Sequence, residues 1–233
     1  MITLKKRYPY VDFRYMSDSA NFPYGSKSRN VLTDIATQNL LKAGAYDCSA
    51  VILACNTLST NCMEDLSGRF PSLPFFGVVP PDVSRLNVPT LLFCTEATEN
   101  STYIMKAKRF NKNLFVYPCA ELVSKIEADA LNADKTDVGK HVARALEKAG
   151  REGFTKFGKI VLGCTHFCFV KKRFEQMFYG SRVEDGFELF LKKFQGYVTT
   201  FWDRGVTDDH NGKVSFIFSD KKRNFKIFNK FYN

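Results

Sequence analysis

Short apolar runs alternate with amphipathic stretches along this chain. Val11 to Tyr15, Ala50 to Ala54, Thr90 to Cys94, Phe115 to Tyr117, Ile160 to Gly163 and Val214 to Phe218 each read as strands. Gly77-Val78-Val79-Pro80-Pro81 reads as another strand, ending in a stiff crossing that disfavours a following helix. Helical stripes lie between. Val31, Leu32, Ile35, Leu40 and Leu41 recur at roughly helical spacing, and Gly44 is a natural stop. Leu58 to Leu66 is a second helix. Asp137 to Ala149 is a third, with Val138, Val142, Ala145, Leu146 and Ala149 on one face and Gly150 after it. Phe187 to Phe194 reads as a fourth. Ser219 caps a last helix whose apolar face is Phe225, Ile227, Phe228 and Phe231. This alternation predicts an α/β protein with mainly parallel sheets flanked by helices.

Two of the strands echo each other. Ser49-Ala50-Val51-Ile52-Leu53-Ala54-Cys55-Asn56-Thr57 and Gly158-Lys159-Ile160-Val161-Leu162-Gly163-Cys164-Thr165-His166 share three large apolar residues, a small residue, a cysteine and polar groups. A continuous apolar run reads as a strand buried on both faces. The polar turn at its carboxyl end is where open α/β folds bind ligands. Two thiols at two such ends can face each other across one cleft.

Composition narrows the class. The 233 residues are 45% hydrophobic and 25% charged, a globular balance with no low-complexity segment. No apolar run approaches the roughly 18 residues of a membrane helix. The basic start, Met1 to Arg7, leads into no signal core, so the expected location is the cytoplasm. The seven cysteines are odd in number and dispersed, as free thiols are. Cys48, Cys62, Cys94 and Cys119 read as small buried hydrophobes. The net charge of +10 is scattered, with Lys221, Lys222 and Arg223 read as an exposed helix start. Nucleic-acid binding therefore ranks last, and capture of a small anionic substrate fits a basic surface.

Two thiols suggest proton transfer. A thiolate is a base and nucleophile, and a helix start is expected to lower a thiol's pKa. One thiolate removes a proton from a tetrahedral carbon, and a thiol opposite returns one to the other face. The result is stereoinversion with no cofactor. Asn56, Thr57 and Thr165 can donate to the enolate-like charge, and His166 can orient or protonate near Cys164. Other readings stand beside this. Asn56 and Thr57 can simply cap a helix, and His166 can be a satisfied half-buried histidine. Cys164, His166 and Cys168 can be read as a metal cluster, but no second pair at zinc spacing accompanies them.

Ala54-Cys55-Asn56-Thr57 and Leu162-Gly163-Cys164-Thr165-His166-Phe167 resemble the two catalytic-cysteine motifs of glutamate racemases, within the aspartate/glutamate racemase superfamily. Asp18 to Gly25, with Pro23-Tyr24-Gly25, resembles that family's substrate loop. Thr95-Glu96-Ala97-Thr98 with Ser101 resembles its hydroxyl-rich loop, and Cys119 to Glu127 the segment carrying an assisting glutamate. The matches run from about residue 10 to the end. The resemblance implies a cofactor-independent, metal-free racemase of L- and D-glutamate, with D-glutamate feeding peptidoglycan, the cell wall and cell shape. It implies two pseudo-symmetric α/β domains, here 1–80 plus 187–233 and 81–186, with the site in the cleft. It makes Cys55 and Cys164 the acid/base pair, assisted by Glu127 and His166. It assigns Tyr24, Gly25, Asn56, Thr57, Thr98, Thr165 and His166 to substrate binding. His166 favours glutamate over aspartate. The expected partner is the small-molecule substrate, with no nucleic acid or membrane; a homodimer is compatible, but the sequence does not fix the oligomeric state.

One departure matters. Family members open with a strand, an Asp-Ser-Gly loop and a helix, and this sequence has no such motif, Met1 falling near the end of that helix. Either translation starts further upstream or the shortened form is natural. In the second case the expected site is asymmetric: complete around Cys164, and without its aspartate at Cys55. Asp12 and Asp18 are the candidates to stand in. Other readings are a related racemase or isomerase of another substrate, and a degenerate binder of a small amino acid or dicarboxylate.

Overall fold

The computed structural model describes residues 2–84, 87–129, 136–202 and 211–220. The expected last helix lies outside them. All strand pairings are parallel. β4 (Thr90–Cys94), β5 (Leu114–Pro118), β6 (Lys159–Leu162) and β7 (Arg182–Asp185) form one sheet in the order β5-β4-β6-β7. β1 (Phe13–Ser17) pairs with β8 (Val214–Phe218), and β2 (Val51–Leu53) with β3 (Phe75–Gly77).

The four-stranded sheet is covered on both faces, and the period of two sorts its side chains. Leu91, Phe93, Phe115, Tyr117, Ile160 and Leu162 pack with Leu122, Val123 and Ile126 of α7 (Ala120–Ala128) and Val142, Ala145 and Ala149 of α8 (Gly139–Arg151). Leu92, Cys94, Val116 and Val161 face the other way, against Ile104 and Ala107 of α6 (Thr102–Phe110). The β2-β3 pair is sandwiched likewise. Val51 and Leu53 meet Leu32 and Ala36 of α2 (Arg29–Lys42) and Leu66 of α4 (Met63–Arg69). Ile52 and Phe76 meet Phe190, Leu191, Phe194 and Val198 of α10 (Phe187–Trp202), with Leu4 of α1 (Ile2–Arg7) and Tyr8 beside them.

Several expectations need correcting. The strand read at 77–81 lies at Phe75–Gly77, where Pro74 and Leu53 carbonyls close the ladder and Pro80 and Pro81 have no N–H to extend it. Val31 and Leu41 are exposed, because α2 buries Leu32, Thr33 and Ala36 instead. Leu146 is also exposed, and α8 runs past Gly150 to Arg151. The single helix at 58–66 is two, α3 (Asn56–Asn61) and α4, divided at Cys62. Cys48 is half-buried, its thiol near the Gly44 carbonyl, whereas Cys62, Cys94 and Cys119 are buried. The hydroxyl-rich loop starts two helices: Thr95 caps α5 (Glu96–Glu99) and Ser101 caps α6. Gly44 does follow α2 with φ at +65°, the left-handed stop that glycine tolerates.

Candidate active site

Cys55 and Cys164 occupy matching turns. Each lies two residues beyond its strand, β2 or β6, and directly before a helical segment. Their backbones agree closely: φ −146°, ψ 121° at Cys55 and φ −145°, ψ 132° at Cys164. α3 begins after Cys55, and a 3-10 helix, Thr165–Val170, after Cys164. The two sulfurs are close enough to influence each other electrostatically.

The surroundings of the two thiols differ. His166 Nδ1 lies 3.8 Å from Cys164 Sγ, and His166 Nε2 is 2.9 Å from Glu127 Oε2. Burial alone would keep the imidazole neutral, but the Cys164 and Glu127 contacts outweigh it and push its pKa up to about 10. At neutral pH the ring therefore donates through both nitrogens. Among the described residues Cys55 has no such partner. Burial pushes its thiol up to about 11, against the opposing N–H groups of Leu58 and Thr57 and the Thr57 hydroxyl. The lowering expected from a helix start is thus overridden by desolvation.

The residues 18–25 bridge the two turns. Phe22 packs on the His166 ring at 5.9 Å between centroids. Gly25 accepts the Ala97 N–H at 2.8 Å, and a Cβ there would fall 2.7 Å from Thr95 Cβ. Tyr24 donates its phenol proton to Asp18 Oδ2 at 2.7 Å. Asp18 is therefore committed to Tyr24, and Asp12 to the Lys213 N–H, rather than to Cys55.

Asn56 is buried beside Cys55, and its Nδ2 has no hydrogen-bond partner in the structure. Thr57, Thr95 and Thr98 form a buried hydroxyl cluster, at 2.9 Å for Thr57 to Thr95 and 3.0 Å for Thr95 to Thr98. Thr98, expected to bind substrate, is fully buried within that cluster. Thr165 is half-buried at the start of its helical turn. Phe22 and Thr95 lie in the two loop segments singled out from the sequence but had no role assigned there, and Asn39 was missed, its signal being a polar residue seven after Leu32 on the covered face of α2. Among the described residues no group of three His, Cys, Asp or Glu side chains is arranged to hold a metal, and no helix is long and apolar enough to cross a membrane.

Parallel sheets flanked by helices, with paired strand-to-helix turns, define a layered α/β protein. No family profile matches the chain. A glutamate racemase of Buchnera aphidicola subsp. Acyrthosiphon pisum (strain Tuc7) is 30% identical over 238 residues, spanning 96% of this chain and 86% of that protein. One from Ectopseudomonas mendocina is 31% identical over 180 residues, spanning 72% and 65%. The glutamate racemase of Francisella tularensis, solved with D-glutamate, shares the fold with a TM-score of 0.75 at 23% identity, covering 97% of this chain and 87% of that one. The chain belongs to the glutamate racemase family.

Proposed function

We propose that this protein interconverts L- and D-glutamate by proton transfer at Cα, with Cys55 and Cys164 on opposite faces of the substrate in a cleft between two α/β domains, 1–80 plus 187–233 and 81–186. The product role is that of the family, supply of D-glutamate for peptidoglycan. The observation that carries the reading is the pair of cysteines in matching backbone conformations at the ends of β2 and β6. Cys164 as thiolate takes the Cα proton, leaving an enolate-like carbanion. Cys55 as thiol gives its proton to the opposite face. The enzyme ends with Cys164 protonated and Cys55 as thiolate, which is the starting form for the reverse reaction.

His166, held by Glu127, stabilises the Cys164 thiolate. The buried Asn56 amide is a donor for the substrate carboxylate, whose developing charge sets the barrier. Thr165 and the Tyr24-Gly25 backbone line the remaining contacts. Thr57 and Thr98 act mainly by holding α3 against α5.

The polarised Cys164 turn and the unassisted Cys55 turn favour an asymmetric enzyme. Cys55 is held as the thiol, the form that delivers a proton, and Cys164 has the cationic His166 beside it to support a thiolate. The test is optical activity of purified protein with each enantiomer and no added cofactor, beside Cys55→Ala and Cys164→Ala. Racemisation lost in both variants supports the reading. Folded native protein that leaves both enantiomers unchanged overturns it and leaves a binder of small amino acids or dicarboxylates. Aspartate and hydantoins in the same assay separate related racemases.

A further inference from the structure

The substrate proposed above carries a cationic ammonium on the reacting carbon, and the site must supply an acceptor for it. The Cys164 side offers a protonated imidazole, and Asn56 offers an amide N–H. An imidazolium does not accept from an ammonium, and of the Asn56 amide only the oxygen does. The acceptor-rich end of the site is Asp18 with Tyr24. Asp18 Oδ2 accepts from the Tyr24 phenol at 2.7 Å, Asn39 Nδ2 at 2.8 Å and Asn21 Nδ2 at 2.8 Å. Asp18 Oδ1 faces the Asn21 N–H at 3.3 Å, and the Ser219 hydroxyl adds a further contact. These bonds overcome burial and hold the carboxyl down to about 2, so Asp18 is an anion.

A phenol has one proton, and that of Tyr24 is spent on Asp18. Its oxygen takes a weak bond from Asn39 Nδ2 at 3.3 Å and keeps acceptor capacity. Gly25, the next residue, packs on Thr95, and Thr95 bonds the hydroxyl of Thr57 two residues after Cys55, which brings the Tyr24 segment to the Cys55 turn.

We infer that Tyr24 accepts a hydrogen bond from the substrate ammonium through its phenol oxygen, and that Asp18, fixed by Asn39, is the positioning residue that makes Tyr24 an acceptor. This rests on the amino-acid racemase reading. It differs from a donor role for Tyr24 toward a carboxylate, because no proton is left to donate. Asp18 acts through Tyr24 and supplies the negative field the ammonium needs.

The experiment compares binding of D- and L-glutamate with that of glutarate, the same dicarboxylate without the ammonium. Native protein is expected to prefer glutamate. Asp18→Asn and Tyr24→Phe are expected to weaken glutamate about tenfold or more while leaving glutarate within about twofold, the size of a lost hydrogen bond to a charged group. In turnover the same variants raise KM more than they lower kcat. Equal weakening of both ligands gives Asp18 and Tyr24 a merely structural role and overturns the inference, as does unchanged glutamate binding. Tyr24→Phe keeps the ring packing, so it decides the matter if Asp18→Asn fails to fold. Glutamate binding without Cα exchange in native protein defeats the proton-transfer reading alone, and the glutarate comparison still decides the ammonium contact. Native protein that binds neither ligand overturns both.

Discussion

The two cysteine turns have the same backbone and different support. β6, which leads to Cys164, has neighbours on both sides, β4 and β7. β2, which leads to Cys55, pairs with β3 alone among the described residues. Cys164 has a histidine and, behind it, a glutamate; Cys55 has buried hydroxyl and amide groups and, among the described residues, no histidine or carboxylate in hydrogen-bond contact. A shared turn conformation therefore does not make shared chemistry. Backbone positions the sulfur, and neighbouring charge decides whether it serves better as base or acid.

The largest expected effect breaks the pair. Cys164→Ala should lower Cα deuterium exchange from both enantiomers by about 10²–10⁴-fold, the range for loss of an acid/base group. Cys55→Ala should abolish racemisation yet retain exchange from the enantiomer whose Cα–H faces Cys164. Loss of exchange from both enantiomers in Cys55→Ala would remove the asymmetry between the halves. Mass spectrometry of each enantiomer in D₂O reads both variants.

Glu127→Gln sharpens the comparison through pH. His166 is protonated below about 10 and supports the Cys164 thiolate only in that form. The rate from the Cys164 side should hold through neutral pH and fall as pH rises through about 10. Removing the glutamate's charge lowers the histidine pKa, so the alkaline limb should move down by about one unit, equivalent to about 1.4 kcal/mol. An unmoved limb would detach Glu127 from His166.

Gly25→Ala tests the bridge between the turns. The added Cβ meets Thr95 at 2.7 Å, and overpacking of this kind costs about 1–3 kcal/mol, readable as a lower Tm. Thr57→Val should cost about 1 kcal/mol, because Thr95 and Thr98 still bond each other. The smallest effect concerns the strands themselves. Amides of β2 should exchange with solvent faster than those of β6, since an edge strand opens at lower cost. Equal protection would show that packing by α2 and α10 compensates for the missing neighbour.

Much of this was legible from residue order. The strands at 50–54, 90–94 and 160–163 announce themselves as apolar runs, and the repeated small residue-cysteine-polar pattern marks both turns. The strand at 75–77 was misplaced because Val78 and Val79 look like strand while two prolines stop the ladder just beyond them. The hydroxyl-rich segment after β4 reads as loop by composition. Its Thr95 and Ser101 are in fact helix caps, a role that depends on which N–H groups their oxygens meet. Glu127 and His166 are 39 positions apart, and no local pattern measures their 2.9 Å contact.

The chain alone determined the α/β class, the two cysteine turns and the kind of chemistry they can perform, because apolar periodicity and covalent neighbours act over a few residues. Only the tertiary structure decided how the turns differ. Burial raised the Cys55 thiol, a distant glutamate charged His166, and Asp18 accepted the Tyr24 hydrogen bond. Each of these depends on the dielectric and charge that surrounding elements supply, and those are properties of packing rather than of order along the chain.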